Sequence, residues 1–507
     1  MTSGQLPDLD ADFARETAAR FFDVALAYNE RARSGDGSVS TALTPAQLAE
    51  RFQEALPVAG MSVDALVARI ERDVVSDANR LMHPMAMGHQ VSPPLPIAIW
   101  MEPLIAAMNQ SVAVSEMSPT GTAVETRVMR WMCELVGWGA HSGGTFTSGG
   151  TEATFTALLA ARAAACPDAW QEGVGADPPV VLCGEHAHYA ITRAVAQLGL
   201  GMKRAVVIPS NGYRMDPVAL VRTLDTLARS GTRVMAVVAT SGSTATGSFD
   251  DLEAIGAACE QRGIWLHVDG AHGASALLSS MHRARLHGIE RASSIAWDPH
   301  KMLLMPLQAG MLLVRDERRL DAAFSQRAPY LFHGAEGERV IDQGVRSFLC
   351  SRRADVLKLW AALERYGVSG LGAIYDALCE TTRGMWESVR SRAAFEAAHE
   401  PECNILCFRW ICDGRRSDAE LDAINLALRE RWNRSGRGWI TTTLLGGRRV
   451  LRVTVMNPGT TSEHTEQTLD GLQGMAEIMV DNEVVSGQSS VDGVRHRMRR
   501  RILTTED

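Results

Sequence analysis

The sequence lacks the features that mark membrane, secreted and nucleic-acid-binding proteins. Its most apolar stretch, Met302 to Val314, is interrupted by Pro306, Gln308 and Gly310 and is too short to span a bilayer. The N-terminus has no basic region followed by an apolar core, so we expect no signal peptide. With 51 Lys plus Arg against 59 Asp plus Glu, the net charge of −8 disfavours nucleic acid as the main partner.

Cysteine is sparse as well, with nine residues among 507 and no C-x-x-C motif. Cys403 and Cys407 are four positions apart, but no cluster of Cys and His accompanies them, so we interpret them as buried thiols. This usage favours free thiols in a reducing cytoplasm over a disulfide scaffold. The sequence predicts no metal site, and it contains no G-x-S-x-G hydrolase elbow, internal repeat or low-complexity block.

The order of helical and strand patterns predicts an α/β protein with four parts. Residues 1–82 show helical spacing of apolar residues, with Thr44-Pro45 opening a second helical stretch. Residues 83–365 alternate helical patterns with apolar runs such as VVLCG, VMAVVAT and IWLHVD, which indicates βαβ units and a parallel sheet buried on both faces. Residues 366–482 predict a smaller α+β domain, and residues 483–507 predict a polar tail. Its basic run is most simply a solvated segment, with a partner-binding arm as the weaker alternative.

Four chemical signals follow one another within the α/β region. A Ser-Gly-Gly-Thr turn from Ser148 opens an apolar helix, His188 and Asp269 each follow a strand, and Lys301 lies in an apolar segment 32 residues after Asp269. Each alone has a structural explanation: a capped helix, a polar contact, a loop cap and a surface lysine. Together they favour one site, because an anion-binding helix end, an imidazole, a carboxylate and an amine would meet where strands end. The hydroxyls of Ser241 and Ser243 could add donors to it.

Three segments carry a family resemblance: WLHVDGAHGASALLS, SIAWDPHKMLLMPLQAGMLLV and SRRADVLKLW. They resemble the group II pyridoxal-phosphate-dependent amino-acid decarboxylases, with the match closest to the glutamate and cysteine sulfinate branch. The resemblance runs from about His83 to Pro458. It implies the aspartate aminotransferase fold (type I), with a large domain built on a mostly parallel seven-stranded sheet. It also implies a smaller C-terminal α+β domain and a homodimer in which the N-terminal helices pack across the subunits.

The resemblance implies pyridoxal 5'-phosphate as the cofactor and assigns residues to it. Lys301 matches the lysine that binds the cofactor covalently, Asp269 the partner of its ring nitrogen, and His188 the imidazole stacked on the ring. Ala271 matches a small residue beside the ring, and Gly150 and Thr151 match the phosphate turn. Thr244 matches a polar residue of the next loop, and Asp298 and His300 match the two residues that flank the lysine.

The substrate assignments from the resemblance are fewer. Tyr330 matches the tyrosine of a mobile loop and is the candidate proton donor, and Arg452 matches the arginine that receives the substrate α-carboxylate. His89 and Gln90 stand where relatives often have aromatic residues lining the side-chain pocket. Either could bind an acidic side chain or could be a hydrogen-bonded structural residue.

The implied reaction is decarboxylation of an L-amino acid, and the branch favours glutamate, aspartate or cysteine sulfinate. Alternatives are decarboxylation of 2,4-diaminobutyrate or an aromatic amino acid, and oxygen-dependent decarboxylation–deamination or transamination on the same cofactor. A non-catalytic scaffold that keeps the fold predicts loss of the lysine or the aspartate, and both Lys301 and Asp269 are present.

Overall fold

The computed structural model describes residues 11–324, 342–412 and 415–481. These residues form two compact units. The larger unit contains Gln90–Arg383 and Glu400–Leu406, and the smaller contains the described residues before Gln90, Gly384–His399 and those from Cys407 onward. The division into four parts by chain position remains a prediction.

The strands are, in chain order, β1 Gly143–Thr147, β2 Val180–Gly184, β3 Ala205–Ile208, β4 Ser210–Asn211, β5 Arg214–Met215, β6 Val234–Thr240, β7 Trp265–Asp269, β8 Ser294–Trp297, β9 Gly310–Val314, β10 Phe395–Ala397, β11 Ile405–Trp410, β12 Thr441–Leu445 and β13 Arg448–Thr454. The α-helices are α1 Ala11–Arg33, α2 Pro45–Glu50, α3 Val63–Ile70, α4 Pro96–Met108, α5 Pro119–Val136, α6 Gly150–Ala165, α7 Ala169–Glu172, α8 Ala190–Gln197, α9 Pro217–Arg229, α10 Leu252–Glu260, α11 Arg318–Ala323, α12 Val356–Ser391, α13 Asp418–Arg434 and α14, residues 462–481.

The larger unit is built on a seven-stranded sheet with the order β1-β9-β8-β7-β6-β2-β3. Strands β3, β2, β6, β7 and β8 are parallel neighbours, whereas β9 runs antiparallel to both β8 and β1. The predicted, mostly parallel seven-stranded sheet is thereby confirmed. Its central strands are apolar without alternation because helices cover both faces, as the burial of all five residues of β2 shows.

The smaller unit contains a four-stranded sheet with the order β10-β11-β13-β12. Strands β12 and β13 form an antiparallel hairpin whose turn, Gly446-Gly447, has positive φ at both residues (55° and 78°), which glycine adopts without strain. Helix α13 begins with a capping box between Ser417 and Glu420. The predicted smaller α+β unit is present, with strands and helix where the sequence indicated them.

The N-terminal helical prediction holds in part. Thr44 caps α2 and Pro45 opens it, as the sequence indicated. The predicted stretch from Pro45 to Arg80 is broken, since α2 stops at Glu50 and α3 begins only at Val63. No helix of the described ranges combines the length and apolar character needed to cross a membrane.

Candidate active site

The carboxyl ends of the parallel strands and the start of α6 enclose a cavity of about 350 Å³ in the larger unit. This is where ligands bind in open α/β sheets. Nine residues singled out from the sequence lie in its wall: Gly150, Thr151, His188, Thr244, Asp269, Ala271, Asp298, His300 and Lys301. The structure thus brings these nine side chains and turns together, and their individual roles remain predictions.

The start of α6 presents backbone donors to this cavity. The first bond within the helix comes from the N–H of Ala153 to Gly149 O, and no side chain of the described residues caps the helix. The N–H groups of Gly150 and Thr151 therefore lack helical acceptors, and the positive end of the helix dipole lies with them. A Cβ at Gly150 would lie 2.9 Å from Ala271 Cβ and 3.1 Å from Asp298 Oδ2, so only glycine fits without displacing the wall. The turn is suited to binding an anion such as a phosphate.

Asp269 ends β7 and is buried in the cavity wall. Its Oδ1 accepts a 3.3 Å hydrogen bond from the N–H of Ala271. Burial raises the pKa of the Asp269 carboxyl, and the nearby Lys301 and His188 only partly offset this. A cation placed against this carboxyl would favour its ionised form, which burial disfavours.

Lys301 and His300 both contact Asp298, which follows β8. Lys301 Nζ lies 3.1 Å and His300 Nε2 lies 3.4 Å from Asp298 Oδ2. Burial acts to raise the pKa of Asp298, but the Lys301 ammonium and His300 outweigh it and lower the pKa to about 2. Asp298 is therefore an anion at all physiological pH values and stabilises positive charge on the Lys301 nitrogen.

Lysine is rare in this chain, with three residues, Lys203, Lys301 and Lys358, against 48 arginines. Lys203 is exposed, and Lys358 is fully buried and ion-paired with Glu102. Of the three, Lys301 alone lines the cavity. It is therefore the lysine amine that a ligand in this cavity can reach.

His188 lies just after β2 in the cavity wall. Its Nδ1 accepts a 3.3 Å hydrogen bond from the N–H of Ala190, which leaves the proton on Nε2. Burial lowers the pKa of His188, an effect that Asp269 opposes and Lys301 reinforces. Burial therefore favours the neutral imidazole.

The predicted substrate residues fall in both units. In the smaller unit, Arg452 Nη1 lies 3.5 Å from Gly88 O and 3.4 Å from Thr441 Oγ1, and the His89 ring lies 5.0 Å from that of Trp439. Burial lowers the pKa of His89, and the positive charges of Arg452 and Arg429 lower it further. Gln90 lies in the larger unit with its Nε2 buried and without a hydrogen-bond partner among the described residues.

Tyr330 lies outside the described residues, so its predicted role remains a prediction.

The cavity wall differs from the sequence predictions in two respects. Ser241 and Ser243 do not line the cavity. Ser243 Oγ is 2.9 Å from Thr246 Oγ1, which bonds Ser248 in turn, whereas Ser241 Oγ is buried without a hydrogen-bond partner among the described residues. Ser148 and Gly149 of the predicted turn and Gly242 of the Ser241–Ser243 turn also line the cavity, and sequence reasoning missed three further lining residues: Ala190, Thr240 and His272. Each lies within three positions of a residue that was singled out or of the Ser241–Ser243 turn, so the signal was proximity along the chain.

Known proteins resemble this chain over most of its length. The family model described as pyridoxal-dependent decarboxylase conserved domain matches residues 45–411. The chain is 35% identical over 422 residues to L-2,4-diaminobutyrate decarboxylase of Rhizobium meliloti, covering 82% of this chain and 83% of that protein. It is 34% identical over 426 residues to cysteine sulfinic acid decarboxylase of Rattus norvegicus, covering 82% and 86%. The crystal structure of mouse CSAD superposes with a TM-score of 0.87 at 30% identity, covering 92% of this chain and 99% of that one.

Proposed function

Because the chain belongs to the pyridoxal-dependent decarboxylase family and is a pyridoxal-phosphate-dependent amino-acid decarboxylase, we propose that its substrate is an acidic L-amino acid. The candidates are glutamate, aspartate and cysteine sulfinate, each of which would release carbon dioxide and an amine product. The observation that carries the acidic assignment is the positive charge that Arg452 and Arg429 place at His89. The cavity in which Lys301, Asp269 and the start of α6 meet supports the cofactor.

The cavity fits the cofactor in each of its parts. Burial raises the pKa of Asp269, and a protonated ring nitrogen would be a cation that stabilises its ionised form. The unpaired N–H groups at the start of α6, with Thr151 and Thr244 in the wall, would hold the phosphate. Thr240 Oγ1 and Asp298 Oδ1 are buried without a hydrogen-bond partner in the described part of the chain, so the wall holds polar atoms that a ligand could satisfy.

Each of the residues in the cavity wall would then have a separate role in the reaction. When bound, pyridoxal phosphate supplies a ring that accepts the electron pair released as the bond from Cα to its carboxylate breaks. Asp269 would keep the ring nitrogen protonated, and the small side chain of Ala271 would leave room beside the ring. His188, with its proton on Nε2, would cover one face of the ring. Lys301 would hold the cofactor and exchange with the substrate amine, with its positive charge stabilised by Asp298.

The electrostatics around His89 favour an acidic side chain. Arg452 and Arg429 both add positive charge at this imidazole, and a second substrate carboxylate would be attracted to such a region. The resemblance assigns the same stretch to the substrate pocket and gives Arg452 the α-carboxylate. The relative named for 2,4-diaminobutyrate is the observation that favours a second candidate, a substrate with a cationic side chain.

We further propose that the protein is a homodimer. Helix α1 is 23 residues long and buries only Ala32, and α2 and α3 bury no residue. Phe21, Phe22 and Leu26 of α1 are about 40% exposed, and Val58 is entirely exposed. A second copy that covers these apolar side chains would account for them.

A cytoplasmic location is part of the same proposal. All nine cysteines are free thiols in this structure, including the exposed Cys350. Free thiols of this kind persist in a reducing compartment.

One experiment tests the substrate assignment. Purified protein is loaded with pyridoxal phosphate, and carbon dioxide release is measured with the twenty amino acids, cysteine sulfinate and 2,4-diaminobutyrate. We expect the highest kcat/KM with one of the acidic substrates, and Lys301→Ala, measured in parallel, should release none. Preferred turnover of diaminobutyrate or an aromatic amino acid would contradict the proposal, and stoichiometric hydrogen peroxide would indicate the oxygen-dependent alternative.

A further inference from the structure

Lys358 is a buried cation to which neither the motifs nor the cavity gives a role. It lies in the first turn of α12 and is entirely buried. A cation in the first turn of a helix opposes the helix dipole, and a buried ammonium costs free energy unless it is paired. In a chain with 48 arginines and three lysines, an ammonium at this position calls for a specific explanation. Lysine carries its charge on a compact ammonium with three donors, whereas arginine carries it on a planar guanidinium.

The contacts of Lys358 are to two carboxylates and to a loop. Its Nζ lies 2.7 Å from Glu102 Oε1 and 3.1 Å from Asp355 Oδ1. It also donates to the carbonyl oxygen of Gln308 at 2.9 Å, and Pro306 O lies at 3.5 Å. These two carbonyls belong to the segment that connects Lys301 to β9. Lys358 therefore holds the end of the loop on which Lys301 lies.

The peptide group between Gln308 and Ala309 links Lys358 to His300. Its carbonyl oxygen accepts from Lys358, and its N–H donates to His300 Nδ1 at 3.1 Å. A cation on the carbonyl polarises the peptide and strengthens its N–H as a donor. The N–H of His300 in turn donates to Ala309 O at 3.1 Å. Two hydrogen bonds therefore join His300 and Ala309 across the loop.

The same contact fixes the proton of the His300 ring. Since Nδ1 accepts a hydrogen bond, the proton is on Nε2, which lies 3.4 Å from Asp298 Oδ2. That oxygen is the one within 3.1 Å of Lys301 Nζ. A continuous series of contacts thus runs from Lys358 through one peptide group, His300 and Asp298 to Lys301.

We propose that Lys358 is a positioning residue for the decarboxylase reaction: through the Gln308–Ala309 peptide it holds His300 in its Nε2–H form and thereby sets Asp298 against Lys301. The inference rests on the proposed function only for its effect on turnover, because the protonation of His300 can be observed without any substrate. Arg353 provides a matched control, since it binds the same Glu102 and Asp355 and makes none of the loop contacts.

The test compares the cofactor-loaded variants K358M, K358M/E102Q and R353M with the wild type. K358M deprives two carboxylates, Glu102 and Asp355, of the Lys358 ammonium, and the added E102Q change neutralises one of them. The double variant thus offers a second route to a folded protein should K358M alone misfold. We expect kcat to fall about tenfold or more in the Lys358 variants with KM changed by less than about threefold. R353M should keep a kcat within about twofold of the wild type. In an H300A background, K358M should lower kcat by no more than about twofold further, because both act in one series.

A second readout does not depend on turnover. In ¹⁵N NMR of histidine-labelled protein, with the His300 signals identified by their loss in H300A, the wild type should carry its proton on Nε2 alone. The K358M/E102Q variant should show a mixture of both ring forms. A proton on Nδ1 in the wild type, a wild-type kcat in folded K358M/E102Q, or an equal loss in R353M would each overturn the inference. A wild type that releases no carbon dioxide would instead refute the proposed function. The NMR observation of the His300 ring would then still test the inference about Lys358.

Discussion

Asp250 Oδ2 accepts a 2.7 Å hydrogen bond from the backbone N–H of Thr240, and so a buried carboxyl holds the strand end that lines the cavity. Its other oxygen accepts from the N–H of Met215, also at 2.7 Å. Burial raises the pKa of Asp250 to about 6, because these backbone donors only partly offset the loss of water.

This raised pKa predicts a specific pH dependence of stability. The folded protein keeps the Asp250 proton up to about pH 6, whereas the unfolded chain releases it near 3.8. The contribution of Asp250 to the free energy of unfolding is fully present below about pH 4 and is lost as the pH rises through 6. The total loss is about 3 kcal/mol. About 1 kcal/mol of that loss falls between pH 5 and pH 7.

The measurement is the unfolding free energy or midpoint of the wild type and Asp250→Asn across pH 5 to 7. The difference in unfolding free energy between the wild type and Asp250→Asn should shrink by about 1 kcal/mol between pH 5 and pH 7. Asp251→Asn, a change at the exposed neighbour that caps α10, serves as the control and should follow the wild-type curve. Parallel curves for the wild type and Asp250→Asn would contradict the prediction.

Asp269→Asn should separate cofactor binding from turnover. Asparagine fills nearly the same volume but cannot carry the negative charge that keeps the ring nitrogen protonated. We expect kcat to fall by about a hundredfold or more, as when a charge-stabilising group is removed from an active site. Cofactor affinity, followed by visible absorbance during dialysis, should also fall. A variant with kcat within threefold of the wild type would remove Asp269 from this role.

Arg352 and Glu125 form a buried pair that supports the strand leading to the phosphate turn. Two guanidinium nitrogens lie 2.8 Å and 2.7 Å from the Glu125 oxygens, and Glu125 also accepts from the N–H of Phe146 in β1. Arg352→Met would leave a fully buried carboxylate unpaired, which costs about 3–5 kcal/mol of stability.

Arg353→Met is the comparison for this pair, because Arg353 is 43% exposed and its ion pairs are worth about 1 kcal/mol or less. Thermal unfolding of the two variants measures the contrast. Equal losses of stability in Arg352→Met and Arg353→Met would show that the buried pair contributes no more to stability than the exposed one.

Tyr330→Phe tests the assignment that rests on resemblance alone, since this residue lies outside the described part of the chain. If its hydroxyl delivers the proton to Cα, the variant should still bind the cofactor but form more aldehyde and hydrogen peroxide for each carbon dioxide released. Both products are measured in one reaction. An unchanged product ratio would argue against the assignment.

The parts of the molecule that the sequence predicted are those encoded locally. The Ser148 turn, Asp269 and Lys301 each stand at a recognisable junction between a strand and a loop or helix, and the ends of parallel strands meet at one edge of a sheet. Their convergence on one cavity follows from fold rules applied to short motifs.

What the sequence did not reveal depends on distant pairs. Glu125 and Arg352 are 227 positions apart, and His272 lies 2.6 Å from Asn404, 132 positions along the chain. The link from Lys358 to His300 depends on the path of a loop carbonyl, which no residue pattern encodes. Such contacts become visible only when packing has placed the elements.

The central claim is that one lysine carries the cofactor, and the chain allows a direct test because it contains three. Holoenzyme is reduced with borohydride, digested and mapped by mass spectrometry. The account predicts a cofactor adduct on the peptide with Lys301 and none on those with Lys203 or Lys358. An adduct on either of the other two lysines, or none on any, would contradict it.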